Sequence, residues 1–134
     1  MADDALVVAQ KAWDAWVAGD LDAFLALWHE NGVWTNAGRS AITRERHGVS
    51  EIGELARAVG EYSGGTLKAT PLELAQSGPN TVLGYFRVEA QRPEASIDQV
   101  GLQRLVITDG KIESLHNMYA DVYEQDEFYK NYTE

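Results

Sequence analysis

The sequence has no cysteine among its 134 residues, so disulfides, thiolate metal sites and a cysteine nucleophile are all excluded. Histidine is scarce: His29, His47 and His116 share no ligand spacing, and the acids form no calcium-loop motif, so no metal is expected. No apolar run approaches the roughly 18 residues of a membrane span, and the amino terminus carries acids where a signal peptide carries bases. The expectation is a cytoplasmic protein without a membrane partner. Positive charge is short as well, with 11 Lys and Arg against 21 Asp and Glu. Residues 1–30 hold six acids and one base, residues 105–134 hold seven acids and two bases, and the stretch between is balanced. Negative ends repel a phosphate backbone, which argues against a nucleic-acid partner. A phosphate-binding glycine loop and a G-x-S-x-G elbow are both missing. What survives is acid–base chemistry with no cofactor, or binding without chemistry.

What is present suffices for one domain over residues 1–134, since 45% of the residues are apolar. Residues 4–18 place Leu6, Ala9, Trp13, Trp16 and Val17 at helical spacing, with Asp3 or Asp4 as cap and Gly19 as stop. Asp20 caps a second helix with Leu21, Phe24, Leu25 and Trp28 on one face. His29-Glu30-Asn31-Gly32 then turns into a short strand, 33–36. A polar loop over 37–48 precedes a third helix, capped by Ser50 and ending near Gly60. Four longer strands follow at 66–75, 81–91, 97–108 and 111–119, then a terminal helix at 122–130. Turns this short demand an antiparallel meander. The fold class is α+β: a curved antiparallel sheet wrapped against the N-terminal helices into a cone with an internal pocket.

Alternate strand residues share a face, which groups the polar candidates. Trp34 pairs with Asn36, Tyr85 with Arg87 and Glu89, and Asn117 with Tyr119, while Gln103 leads its own strand face. If these faces line the cone, the catalytic candidates are Glu89, Arg87, Asn36 and Asn117. Glu89 is then the general acid or base, and the amides bond a substrate oxygen. The substrate-binding candidates are Trp13, Trp16, Trp28, Trp34, Tyr85, Gln103 and Tyr119, a set suited to a small hydrophobic molecule. Arg87 and Glu89 read equally as an ion pair on the outer face. His47 is placed either over the pocket or in solvent. The outer sheet face, with Val106 and Met118, is expected to pack against a second copy, giving a homodimer.

The run Trp13-x-x-Trp16-x-x-Gly19-Asp20-Leu21-Asp22-Ala23-Phe24-Leu25-Ala26-Leu27-Trp28, continuing to Val33-Trp34, resembles the entry of SnoaL-like proteins in the nuclear transport factor 2-like superfamily. Gly38-Arg39-Ser40 with Gly48, Arg87-Val88, Asp109-Gly110-Lys111-Ile112 and the close through Asp121, Asp126, Phe128 and Tyr129 resemble it too. The resemblance spans the whole chain and implies the same cystatin-like cone. It implies a cofactor-independent cyclase, isomerase or epoxide-opening enzyme on a polyketide or terpenoid type of metabolite, or a non-catalytic carrier. Where ketosteroid isomerases carry a Tyr and two Asp, this chain has Ala12, Asn36 and Gln103. It is similar to limonene epoxide hydrolases at Trp34-x-Asn36 and Arg87-x-Glu89, but has Asn117 in place of their second acid.

Overall fold

A computed structural model describes residues 4–134. Helix α1 spans Ala5–Ala18. Asp4 starts it by accepting a hydrogen bond from the Val7 amide at 2.9 Å, satisfying one of the free N–H groups of the first turn; Asp3 lies outside the described residues. Gly19 ends it in the left-handed region at φ +72°, its N–H reaching back to the last carbonyls. The buried face runs through Val8, Ala9, Ala12 and Trp13. Leu6 and Val17, expected on that face, are exposed because they fall on the solvent side of the stripe.

Helix α2, Leu21–Ala26, is capped by Asp20, whose side chain accepts from Ala23 N at 3.0 Å. It stops short of Trp28, which opens strand β1, Trp28–Asn36. The expected turn at 29–32 is instead an irregularity within this strand, where the pairing register shifts between Trp28 and Val33. A 3-10 turn at Ala41–Thr43 and a two-residue strand β2, Arg46–His47, occupy the expected loop. Helix α3, Gly48–Tyr62, starts two residues before Ser50. Its opening is satisfied from inside the helix, where the Glu51 carboxylate accepts from His47 N at 3.1 Å.

Strands β3 (Lys68–Gln76), β4 (Thr81–Arg92), β5 (Ala95–Thr108) and β6 (Lys111–Tyr119) form the meander. The six strands lie in the order β2-β1-β6-β5-β4-β3. All neighbours are antiparallel except β1 and β6, which run parallel because helix α3 and the β3–β5 meander separate them in the chain. The sheet is thus mixed within an α+β arrangement. Helix α4, Val122–Phe128, closes over β5 and β6.

The concave face packs on α1 to α3 through an aromatic box. Trp28 stacks on Trp34 at 5.9 Å, while Trp16 and Phe24 meet Trp34 at 5.7 and 5.8 Å. Each such pair adds about 0.5–1.5 kcal/mol beyond its area term. A second aromatic group joins α3 to the C-terminal segment, where Tyr62 stacks on Tyr129 at 5.3 Å. The Arg92 guanidinium sits 4.6 Å from the Tyr62 ring centre and donates to the Phe128 carbonyl. No helix among the described residues is long and apolar enough to cross a membrane.

Candidate functional site

The sheet encloses a cavity of about 100 Å³ between its concave face, α1, α3, the Ala37–Thr43 segment and α4. Its walls are mostly apolar, with Trp13, Trp16, Trp34, Phe86, Leu105 and Leu115 among them. Asn36, Ser40, Gln103, Asn117, Tyr119 and Gln125 are among its polar lining residues. No Asp, Glu, His, Lys or Arg lines it among the described residues.

Three amides cross its floor in one hydrogen-bonded chain. Trp13 Nε1–H donates to Gln103 Oε1 at 3.0 Å, and Gln103 Nε2 donates to Asn117 Oδ1 at 3.0 Å. Asn117 Nδ2 donates to Asn36 Oδ1 at 3.2 Å. From the opposite side Trp34 Nε1–H donates to the same Asn36 oxygen, also at 3.2 Å. An indole nitrogen can only donate. With an indole at each end, every amide orientation is forced, and reversing any one would set two donors or two acceptors face to face.

The polarity of the chain converges on Asn36 Oδ1. A third donor, the Tyr119 hydroxyl, also reaches it at 3.2 Å. A carbonyl oxygen has two lone pairs, so the rotatable hydroxyl is the contact most readily given up to a ligand. Asn36 Nδ2 has no protein partner among the described residues, so the site offers a bound molecule an N–H and an O–H. Burial pushes the Tyr119 hydroxyl up to about 12, against a smaller opposing effect of Asn117, so it is a protonated donor at neutral pH. Burial raises Tyr129 further still, with Tyr119 and Tyr62 adding to the effect.

Of the sequence candidates, Trp13, Trp16, Trp34, Asn36, Gln103, Asn117 and Tyr119 meet in this cavity. Tyr85, Arg87 and Glu89 do not. Gly84 pairs with Gln103, so the even positions of β4 face inward and the odd ones outward. Arg87 instead forms a two-bond fork with Asp98 at 2.8 and 2.7 Å, with Glu89 3.6 Å away. Glu89 therefore cannot reach a molecule in the cone, and the expected acid–base role has no geometric basis. Trp28 is also corrected: it is core, stacked on Trp34 and absent from the cavity wall. His47 is exposed and pairs with Glu45 at 2.8 Å.

The sequence reading missed Phe86, Ser40 and Gln125 as cavity residues. Phe86 was legible from the alternation of Val82, Phe86, Val88 and Ala90. Gln125 carried no signal, being one polar residue in an acidic helix. The Asp126 carboxylate beside it accepts from the Arg39 and Ser40 amides at 2.8 and 3.2 Å, fastening α4 to the Ala37–Thr43 segment.

A sequence model of the SnoaL-like domain matches residues 9–115. The chain belongs to the SnoaL-like family. This SnoaL-like protein is similar in structure to Bal32a, from a soil-derived mobile gene cassette, at 27% identity and TM-score 0.87, covering 92% of this chain and 94% of that one. A Xanthomonas campestris protein with a cystatin-like fold superposes at TM-score 0.89 with 22% identity, covering 95% and 98% of the two chains. TerC, co-crystallised with polyporic acid, superposes at TM-score 0.79 with 16% identity over 93% and 97%. No curated protein matches the sequence. The second and third likenesses show the fold alone.

Proposed function

We propose that this SnoaL-like protein binds a small, uncharged, largely apolar molecule in the cone and holds it by an acceptor oxygen of the carbonyl type. The observation that carries the reading is the cavity lining: apolar walls, a polarised chain of neutral amides and, among the described residues, no ionisable group except two tyrosines with raised pKa. Binding without chemistry follows more directly from this lining than acid–base turnover does. With Tyr119 pushed up to about 12, only on the order of one phenol in 10⁵ is ionised at pH 7, too few for an effective base.

A cofactor-independent enzyme is the second reading, and one feature favours it. Asn36 Nδ2 and the Tyr119 hydroxyl together form the kind of donor pair that polarises a carbonyl and stabilises a developing oxyanion. In that case the substrate supplies its own reactive groups, as a folded polyketide or terpenoid chain can, and the cavity fixes its shape. The two readings separate in one experiment. A ligand retained through native purification is identified by mass spectrometry and incubated with fresh protein. Recovery unchanged supports the carrier; conversion to a new compound supports the enzyme.

The assembly reading is a homodimer through the convex sheet face. Tyr85, Leu102 and Met118 lie in one register row across β4, β5 and β6 and are 41%, 55% and 40% exposed, with Leu83 beside them. Large exposed side chains in a continuous row favour burial against a second copy. Sedimentation at micromolar concentration tests it.

A further inference from the structure

The cavity has a second polar group that the amide chain does not involve. Gln125 is 5% exposed, yet among the described residues its Nε2 has no hydrogen-bond partner, and the nearby Ser40 Oγ is likewise buried and unpaired. Both residues line the cavity. Leaving a buried donor unsatisfied is unfavourable, and folded proteins rarely do so without something else to bond it. The cost here is not incidental to a loose loop. Ser40 is held by its own amide, which donates to Asp126, and Gln125 precedes Asp126 in the same helix. The two groups are thus set in place together, where α4 meets the Ala37–Thr43 segment.

From this we infer that Gln125 Nε2 and Ser40 Oγ form a second subsite, which takes another acceptor oxygen of the same ligand. The inference rests on the reading of the cavity as a ligand pocket and sharpens it. The ligand is an apolar ring system bearing two separated carbonyl or ether oxygens, one bonded from the sheet wall by Asn36 and Tyr119, the other from the helix wall by Gln125 and Ser40. A carboxylate does not suit either end, because no cation faces the cavity among the described residues.

The test uses a matched series of single-ring probes: 1,4-diethylbenzene with no acceptor, 4-ethylacetophenone with one, and 1,3- and 1,4-diacetylbenzene with two at different spacings. Affinities are measured by calorimetry on the intact chain. One diacetyl isomer is expected to bind about tenfold more tightly than 4-ethylacetophenone, the gain typical of one added hydrogen bond. In Gln125→Met that step disappears, while 1,4-diethylbenzene and 4-ethylacetophenone stay within about twofold. Ser40→Ala reduces the same step by a smaller factor and serves if the methionine variant fails to fold. Because Gln125 Nε2 bonds nothing among the described residues, Gln125→Met is also expected to melt no lower than wild type.

Equal affinities for one and two acceptors overturn the subsite, as does a Gln125→Met variant that loses 1,4-diethylbenzene in equal measure, since that marks a packing role. If none of the probes binds, 1,4-diethylbenzene included, the cavity itself is not a ligand pocket. That result removes the functional reading and the subsite with it.

Discussion

The donor-only indole at Trp13 makes the amide chain testable by its energetics. Gln103→Leu removes the first amide of the chain and strands two buried groups, Trp13 Nε1 and Asn117 Oδ1, which it joins at 3.0 Å each. At about 1–3 kcal/mol per unsatisfied group the loss is about 2–6 kcal/mol, a large part of the roughly 5–15 kcal/mol that holds a domain folded. Trp13→Phe strands only Gln103 Oε1 and loses some packing against Phe86, 5.6 Å away. The double variant has neither the indole N–H nor the glutamine, so only Asn117 Oδ1 remains stranded. It should therefore cost less than the sum of the singles by about 2 kcal/mol or more, because two of the three penalties have vanished. The assay is urea unfolding followed by far-ultraviolet circular dichroism, which is insensitive to the missing indole fluorescence. Additivity within about 0.5 kcal/mol would refute a buried, continuous chain.

Tyr119→Phe should remove a phenol that ionises near pH 12 from an absorbance titration at 295 nm. Since that pKa lies above the ordinary 10, the Tyr119 contribution to stability should be full below pH 10 and fade as pH rises toward 12. At the acid end, Glu134 is held below its usual 4.5 by Arg44 first and then Arg46, and Glu51 by the His47 amide first and then Arg44. Both contributions are present above pH 4.5 and disappear as pH falls through the lowered values. Glu134→Gln should flatten that part of the melting-temperature profile. Gly101→Ala should destabilise by about 1–3 kcal/mol in denaturant, because a new Cβ would lie 2.6 Å from the Met118 carbonyl and 2.7 Å from Phe86 Cζ. Leu102→Asp should shift the sedimentation coefficient from dimer to monomer while leaving the circular dichroism spectrum unchanged.

Element types and order were readable because the apolar periods and turn residues agree along most of the chain. The faces were harder, and the reason is parity. In an antiparallel hairpin joined by an even number of residues, odd positions pair with even ones. The β4–β5 turn at Pro93-Glu94 sets Arg92 opposite Ala95 and hence Gln103 opposite Gly84. Placing Glu89 and Gln103 on one face contradicts that arithmetic, and the contradiction was visible in the sequence. The next hairpin reverses the lesson. From Thr108 opposite Lys111, a regular ladder would oppose Gln103 with residue 116, yet a register shift between Val106 and Ile107 brings Asn117 there. Gln103 and Asn117 therefore meet only because of a bulge, for which no glycine or proline gives notice. Apolar Leu83 and Tyr85 on the outer face blurred the alternation further, since exposed apolar residues at alternate positions look like a core-facing row.

The fastening of α4 has a kinetic meaning. Most of the cavity is walled by sheet and long helices, whose opening would break many backbone hydrogen bonds at once. The α4 wall is different: it is tied by the Asp126 carboxylate to two amides and by Arg92 to the Phe128 carbonyl, and the segment after it is tied by Glu134 to Arg44 and Arg46 at 2.9 and 3.0 Å. The Glu134 pairs are partly exposed and are weakened by salt. Local opening follows the least protected segment, so this seven-residue helix is the part of the cavity wall expected to open most readily. On the proposed reading of the cone as a binding pocket, residence time is separated from affinity: the floor of amides would set how tightly a molecule is held, and a few surface ties how soon it leaves.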